Sequence, residues 1–139
     1  MIPEQPMELI PVETLLEKVR AMREQNYRLV QIGATRLPDQ IEMTYSFDLE
    51  SRLTSLRLHL PVNAADGTSA HLPSISSVYW GAFLYENEIH DLFNVQVDGM
   101  VVDFNGNFYR TTVKFPFGSI TPPTARPAPA PAPEKVPAQ

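Results

Sequence analysis

The side chains best suited to chemistry lie in one short segment, residues 86–94, where three carboxylates fall within six positions. Glu86 and His90 are four residues apart, so a helix would place them on one face as a metal-ligand pair or an acid–base pair. A surface ion pair is the favoured interpretation, because no other histidine stands at metal-ligand spacing. Glu88 and Asp91 complete this acidic cluster.

The acids lie near the end of a predicted helix, where carboxylates oppose the helix dipole. Glu88 and Asp91 share a face and repel each other unless a cation lies opposite. Apolar residues surround them on the helix, which places the acids near the rim of a contact surface. A solvated helix face is the alternative. The apolar neighbours are Tyr85, Ile89, Leu92 and Phe93.

Composition excludes several classes of function. The chain of 139 residues has no cysteine, and therefore no disulfide, thiol nucleophile or cysteine-held iron–sulfur cluster. It has no glycine-rich phosphate loop and no Gly-x-Ser-x-Gly elbow. Its formal net charge of −5 does not favour nucleic-acid binding, which requires a basic surface. Catalysis by the chain alone is not favoured, and no cofactor or metal is expected in it.

The apolar stretches of the chain are only a few residues long, far short of the ~20 residues needed to span a bilayer. Residues 1–6 lack the basic start and the apolar core of a signal peptide. We therefore expect a soluble, cytoplasmic protein that reaches a membrane only through its partners.

Hydrophobic periodicity predicts the elements that must position the acidic cluster. Apolar residues recur every three or four positions over residues 12–25, which predicts an amphipathic helix. Strands are predicted at residues 27–34, 41–50 and 55–62. The last two alternate apolar with polar side chains, as in a sheet covered on one face only. Their short connection predicts an antiparallel hairpin.

A second helix is predicted over residues 78–93, with a bend near Gly81 and with Asn94 as the left-handed residue that ends it. Short strands are predicted at residues 95–97 and 108–115. The predicted fold is an α+β, two-layer domain with two helices against a mixed or antiparallel sheet of four to five strands.

Three segments are predicted along the chain: an N-terminal extension (residues 1–10), one domain (11–118) and a Pro/Ala-rich tail (119–139). Seven of the nineteen residues from 121 to 139 are proline. Proline lacks a backbone donor, and such a segment has little to bury, so the tail is expected to be disordered. A semi-rigid exposed tail is the favoured interpretation, and a docking tether to a partner is the alternative.

The segment from Leu72 to Val95 resembles the signature of the thirty-kilodalton subunit family of respiratory complex I. That signature has a Pro-Ser helix start, an aromatic residue, Glu-Arg-Glu and, two residues later, Asp-Leu-Phe-Gly. Asn87 stands in place of the arginine, and Asn94 in place of the glycine. The resemblance implies a partner interface at the motif residues Trp80, Glu86, Glu88, Asp91, Leu92, Phe93 and Asn94.

The histidine-containing segment that follows this signature in NADH:quinone oxidoreductases is absent. With the short length, this makes the chain most similar to the small accessory subunit of energy-converting, membrane-bound nickel–iron hydrogenases. The resemblance implies a peripheral scaffold on the cytoplasmic side, against the large subunit and the iron–sulfur small subunit, which would carry the nickel–iron site and the iron–sulfur clusters. The alternatives are the equivalent subunit of an NADH:quinone oxidoreductase, a free-standing protein-binding module, and an enzyme using Glu86, His90 and Asp91.

Overall fold

The computed structural model describes residues 5–118. The predicted Pro/Ala-rich tail lies outside these residues. The elements in chain order are β1 (Met7–Leu9), a 3-10 turn (Val12–Thr14), α1 (Leu15–Glu24), β2 (Arg28–Arg36), β3 (Gln40–Leu49), β4 (Arg52–Pro61), β5 (Leu72–Pro73), α2 (Ala82–Phe93) and β6 (Val97–Asp98).

Four strands form a mixed sheet in the order β1-β4-β3-β2. The three long strands are antiparallel, and β1 runs parallel to β4. In β3, every second side chain from Ile41 to Phe47 is buried, whereas the side chains between them are half-buried. The prediction of a sheet with one covered face is therefore confirmed.

A two-residue turn sets the register of the central hairpin. Glu50 and Ser51 have φ angles of 50° and 67°. Two consecutive positive φ values are typical of a type I′ turn, whose twist matches that of the flanking strands. The resulting register pairs Tyr45 with Leu56, so the apolar side chains of β3 and β4 share one face.

Both helices pack against this apolar face and complete one core. Leu15 and Val19 of α1 are fully buried, and Ile89 of α2 is buried. The two helices and the mixed four-stranded sheet form the α+β domain that the periodicity predicted.

Two tyrosine hydroxyls attach the α2 region to the β2 region. Tyr79 donates to the carbonyl of Tyr27 at 2.7 Å, just before β2 begins. Tyr85 donates to the carbonyl of Val30 at 3.0 Å. These bonds fix the start of α2 over the edge of the sheet.

Several boundaries differ from the prediction. Strand β1 lies in the segment interpreted as an N-terminal extension, and all three of its residues are exposed, so no burial pattern marked it. Helix α2 begins at Ala82 instead of residue 78. The segment predicted as a strand at residues 95–97 contributes only Val97 to the two-residue strand β6, which pairs with β5.

The prediction of a strand at residues 108–115 was wrong, because this segment is irregular and contains only bends. Hydrogen bonding explains the difference. The amide of Phe104 donates to the side chain of Asn87 at 3.0 Å, and the amide of Tyr109 donates to Asp91 at 2.8 Å. These bonds direct the chain after β6 along α2 instead of into the sheet.

Candidate docking site

Glu86 lies inside the domain, with 1% of its surface exposed. A directed series of hydrogen bonds leads to its carboxylate. The amide of Val101 donates to Ser76 Oγ at 2.9 Å. That hydroxyl lies 2.7 Å from Ser74 Oγ, which donates to Glu86 Oε1 at 2.8 Å. Glu86 therefore joins α2 to the turn that precedes it and to the loop that follows β6.

Glu86 changes charge near neutral pH. Burial raises the pKa of Glu86 to about 7, against the lowering effect of hydrogen bonds from Ser74 and from the backbone amides of Ile75 and Ser76. Tyr45 is fully buried, and within residues 5–118 its hydroxyl has no hydrogen-bond partner. Burial, and secondly the charge of Glu86, raise the pKa of Tyr45 well above its usual value.

Asn87 is as deeply buried as Glu86. Its Nδ2 donates to the carbonyls of Phe83 and Val102 at 2.7 and 2.9 Å. Its Oδ1 accepts from the amide of Phe104 at 3.0 Å. An amide side chain both donates and accepts, whereas the arginine that the resemblance predicts here can only donate. Asparagine at this position therefore holds both kinds of backbone group in the loop.

Asp91 holds the next part of the same loop. One carboxylate oxygen accepts from the amide of Tyr109 at 2.8 Å, and the other lies 2.9 Å from Nδ1 of His90. Glu86 points inward to Ser74 instead of toward His90. The pairing of Glu86 with His90 that the sequence indicated does not form.

Two acids of the predicted cluster are internal. Glu86 and Asp91 are buried, so the prediction that they lie near the rim of a contact surface was wrong. The sequence spacing could not show that Ser74 and the amide of Ile75 bind Glu86, or that the amide of Tyr109 binds Asp91. Glu88 is half-buried, and in the described part of the chain it has no ion-pair partner within 4.0 Å. That these residues form part of a partner interface stays a prediction.

The other predicted interface residues have different surroundings. Trp80 is 67% exposed, whereas Leu92 and Phe93 are half-buried. Phe93 packs against the core and lies 5.6 Å, between ring centroids, from Phe117. Asn94 ends α2 with a φ of 61°, the left-handed conformation predicted for it.

Replacing Asn94 with alanine is expected to lower the free energy of unfolding by about 1 kcal/mol, because alanine disfavours the left-handed conformation. Glycine adopts it without steric cost, so Asn94→Gly is the matched control and should retain stability. Urea unfolding followed by circular dichroism measures both variants. An equal loss in both would instead implicate the 3.2 Å hydrogen bond between the side chains of Asn94 and Gln96.

A row of aromatic rings crosses the outside of this region. The ring centroids of Trp80 and Phe83 are 4.9 Å apart, and those of Phe83 and Phe104 are 6.3 Å apart. Phe108 continues the row at 5.2 Å from Phe104 and at 4.9 Å from Tyr109. We call the exposed side chains here the aromatic surface: Trp80, Leu84, Val101, Phe104 and Tyr109, each between 38% and 67% exposed.

The buried polar side chains of α2 position the aromatic surface. Asn87 fixes the backbone at Phe104, and Asp91 fixes it at Tyr109. Glu86 reaches Val101 through the two serine hydroxyls. Glu86, Asn87 and Asp91 are therefore directed inward, and they fix the backbone that carries the exposed side chains of the aromatic surface.

Sequence reasoning missed Asn87, the serine pair and Phe104 as parts of this site. Nothing in the local sequence shows that Ser74 donates to an acid twelve residues later, or that Ser76 lies beside Ser74 in the same series of hydrogen bonds. A usable signal was present after β6, where Phe104 and Phe108 flank the turn residues Asn105-Gly106-Asn107. Large apolar residues around an expected surface turn indicate a contact region.

The histidines of the described chain lie apart from one another. His59 is 3.3 Å from Glu42, and His71 is 2.9 Å from Asp98. Among residues 5–118, no group of three or more histidine, aspartate or glutamate side chains is arranged to hold a metal ion. In the same residues, neither helix combines the length and the apolar character needed to cross a bilayer.

Most of the domain matches the model of a known protein family. The family model described as "Respiratory-chain NADH dehydrogenase, 30 Kd subunit" matches residues 9–103. The chain belongs to this family. The match includes both helices and all three buried polar residues of α2, and it ends within the loop that carries the aromatic surface. No curated protein sequence matches this 30 kDa-type subunit at a significant level.

A chain of known structure shares the fold of this 30 kDa-type subunit. It belongs to the structure titled as that of the membrane-bound sulfane sulfur reductase (MBS), an archaeal respiratory membrane complex. The two chains are 24% identical with a TM-score of 0.63, and the likeness covers 76% of this chain and 64% of that one. The likeness therefore spans less than two thirds of that chain and shows the fold.

Replacing Asn87 of this 30 kDa-type subunit with alanine is expected to lower the free energy of unfolding by about 2 kcal/mol, because backbone groups at Val102 and Phe104 lose their side-chain partner. Asn107→Ala, at an exposed position in the same loop, is the control and should have little effect. Urea unfolding and hydrogen exchange at the Phe104 amide provide the measurement. Unchanged stability together with unchanged protection of that amide would contradict the assigned role.

Proposed function

We propose that the chain is a non-catalytic accessory subunit of a membrane-bound, energy-converting nickel–iron hydrogenase complex, and that it docks on the large subunit through the aromatic surface. The observation that carries this proposal is the inward direction of the polar motif. Glu86, Asn87 and Asp91 all bind groups of the chain itself. The exposed aromatic side chains form an apolar outward feature beside the motif helix.

The chemistry of the aromatic surface suits a protein partner. Aromatic side chains are enriched at protein interfaces, and charged residues are depleted at interface centres. Three of the five residues that define the surface are aromatic. Exposed apolar surface of this kind marks interaction sites on soluble domains.

Docking has a physical consequence for the scaffold role. The ring of Phe83 lies between those of Trp80 and Phe104, and the loop is held by buried hydrogen bonds. A surface held in this way loses little conformational freedom on binding, which favours a stable assembly. The chain would thereby supply a rigid docking element, while the catalytic groups lie in its partners.

The hydrogenase branch is supported by the segment after the motif. Residues 98–110 contain no histidine, unlike the segment that the resemblance associates with NADH:quinone oxidoreductases. Here the segment forms the loop of the aromatic surface. The solved neighbour comes from an archaeal respiratory membrane complex, which supports assignment to an assembly of that general kind.

In this proposal the cofactors belong to the partners. The large subunit carries the nickel–iron site, and the small subunit carries the iron–sulfur clusters. The complex couples ferredoxin-linked proton reduction or hydrogen oxidation to ion translocation. This chain lies peripherally on the cytoplasmic face and contacts the membrane only through these subunits.

A second candidate is the equivalent subunit of an NADH:quinone-type oxidoreductase. It is favoured by the description of the family, which is that of a respiratory NADH dehydrogenase subunit. The two candidates share the docking role and differ in the large subunit. Its sequence therefore distinguishes them.

The test is purification of the tagged chain from its native membranes in a mild detergent, with partners identified by mass spectrometry. We expect a large subunit with paired Cys-x-x-Cys motifs, which could hold a nickel–iron site. A large subunit without these motifs would support the quinone-linked candidate. Recovery of the chain alone from the soluble fraction would contradict both candidates.

A further inference from the structure

A groove lies next to the aromatic surface, between the end of α1 and the start of β2 on one side and the turn before α2 on the other. Its volume is about 350 Å³. The aromatic side chains of Tyr27, Tyr79, Trp80 and Tyr85 line it. Only Trp80 is shared with the aromatic surface, so the groove is a separate candidate site.

The groove offers hydrogen-bond donors beside its aromatic rings. Arg23, Asn26 and Arg28 line it, and none of the described lining residues is acidic. The guanidinium of Arg23 lies 5.6 Å from the ring centroid of Tyr79. Trp80 is 67% exposed, and its indole N–H is a further donor.

A proline-rich segment is the complementary ligand. Its pyrrolidine rings pack on aromatic faces, and its polyproline II backbone has free carbonyl acceptors but few N–H donors. Aromatic-lined grooves with side-chain donors recognise such segments in proteins. The four aromatic rings and the arginine, asparagine and indole donors of the groove provide this combination.

The chain carries a proline-rich segment close enough to reach the groove. The carbonyl of Gly118 accepts a hydrogen bond from Nε of Arg36, the last residue of β2, at 3.0 Å. Arg28, the first residue of β2, lines the groove. The eight steps of this strand span about 26 Å at ~3.3 Å per residue. A polyproline II segment as long as residues 119–126 would span about 25 Å at ~3.1 Å per residue, which is the length that Pro127 needs to reach the groove.

We propose that the Ala-Pro run from Pro127 to Pro133 occupies this groove in the same chain, with its prolines against the exposed ring of Trp80 and the half-buried rings of Tyr27 and Tyr85. The groove does not include Leu84, Val101 or Phe104. Docking of the run therefore leaves most of the aromatic surface free. The inference holds whichever complex binds that surface.

Trp80 is the only tryptophan of the chain and reports directly on the groove. We compare the full chain with a variant that ends at Gly118, by tryptophan emission and acrylamide quenching. The truncated chain should emit at longer wavelength and be quenched about twofold more strongly, because the indole loses a packed face. A synthetic peptide of residues 119–139 should reverse both changes.

The matched control is a full-length variant with serine in place of the four prolines at 127, 129, 131 and 133. It should behave like the truncated chain, and circular dichroism verifies that all variants are folded. Equal quenching of the full and truncated chains would overturn the proposal. If the protection of Trp80 from acrylamide in the full chain disappears on dilution, the proposal would also be overturned, since the proline run would then come from a second copy. If the serine variant still protects Trp80 from acrylamide, recognition of proline would be excluded.

Failure of this inference is distinguishable from failure of the proposed function. A Leu84→Glu substitution changes the aromatic surface outside the groove and should leave the difference in Trp80 quenching between the full and the truncated chain unaltered. The proposed function is tested by partners recovered from membranes, which this fluorescence comparison does not use.

Discussion

A Leu84→Glu substitution is expected to weaken association of the chain with its large subunit about thirtyfold and to leave the fold intact. Leu84 is 46% exposed in the first turn of α2. A carboxylate there is solvated in the free chain and suits the positive end of the helix dipole. Buried in a docked interface without a partner, it costs about 2 kcal/mol, which corresponds to about thirtyfold in affinity.

The matched control is Leu9→Glu, which introduces the same charge at an exposed leucine of β1. Quantitative recovery of the large subunit with each tagged variant gives the comparison, and circular dichroism checks the fold. Leu9→Glu should recover as much partner as the unmodified chain. Equal recovery with both variants would show that the aromatic surface is not the docking site.

The Glu86→Gln substitution is expected to remove a pH dependence of stability of about 3 kcal/mol. The pKa of Glu86 is raised from 4.5 to about 7 by burial. The folded state therefore holds this proton more tightly than the unfolded state. The stabilising contribution is complete below about pH 4.5 and is lost as the pH rises through about 7. The unmodified chain should thus be less stable at pH 8 than at pH 5.

Urea unfolding at pH 5 and pH 8 measures this difference for each variant. Glu88→Gln, on the same helix but half-buried, is the control and should keep the pH dependence of the unmodified chain. Glu86→Gln should show nearly equal stability at the two pH values in this range. A Glu86→Gln profile that still falls by the full amount would mean that another group causes the dependence.

The main sheet could be predicted because its residues alternate locally. From Ile41 to Phe47 the apolar side chains repeat every two positions, and the structure buries each of them. The left-handed conformation of Asn94 was likewise a local property, since asparagine and glycine tolerate it at helix ends. Periodicity and turn chemistry contain this information within a few residues.

The interior of the candidate site could not be predicted in the same way, because its contacts join distant segments. Glu86 binds Ser74 twelve positions away, and Asp91 binds the amide of Tyr109 eighteen positions away. The sequence around an acidic residue does not show whether water or buried amides will hydrogen-bond to its carboxylate. The sequence therefore indicated a surface position for both acids, because their partners lie in the turn before α2 and in the loop after β6.

Strand β1 illustrates a second limit. Its three residues are exposed, and it joins the sheet through backbone pairing with Ser55, Leu56 and Arg57 of β4. Backbone pairing has no side-chain signature, so hydrophobic periodicity does not detect such an edge strand.

Aromatic contacts such as that of Phe83 with Phe104 also could not be predicted, because they depend on the course of the loop after β6.

Site-specific photo-cross-linking in native membranes tests the central claim most directly. A photoreactive residue replaces Leu84 or Val101 of the aromatic surface, and another replaces Arg52 in the exposed hairpin as the control. We predict covalent adducts with the large subunit from the two surface positions and none from Arg52. Adducts from Arg52 alone, or none with any large subunit, would contradict docking through the aromatic surface.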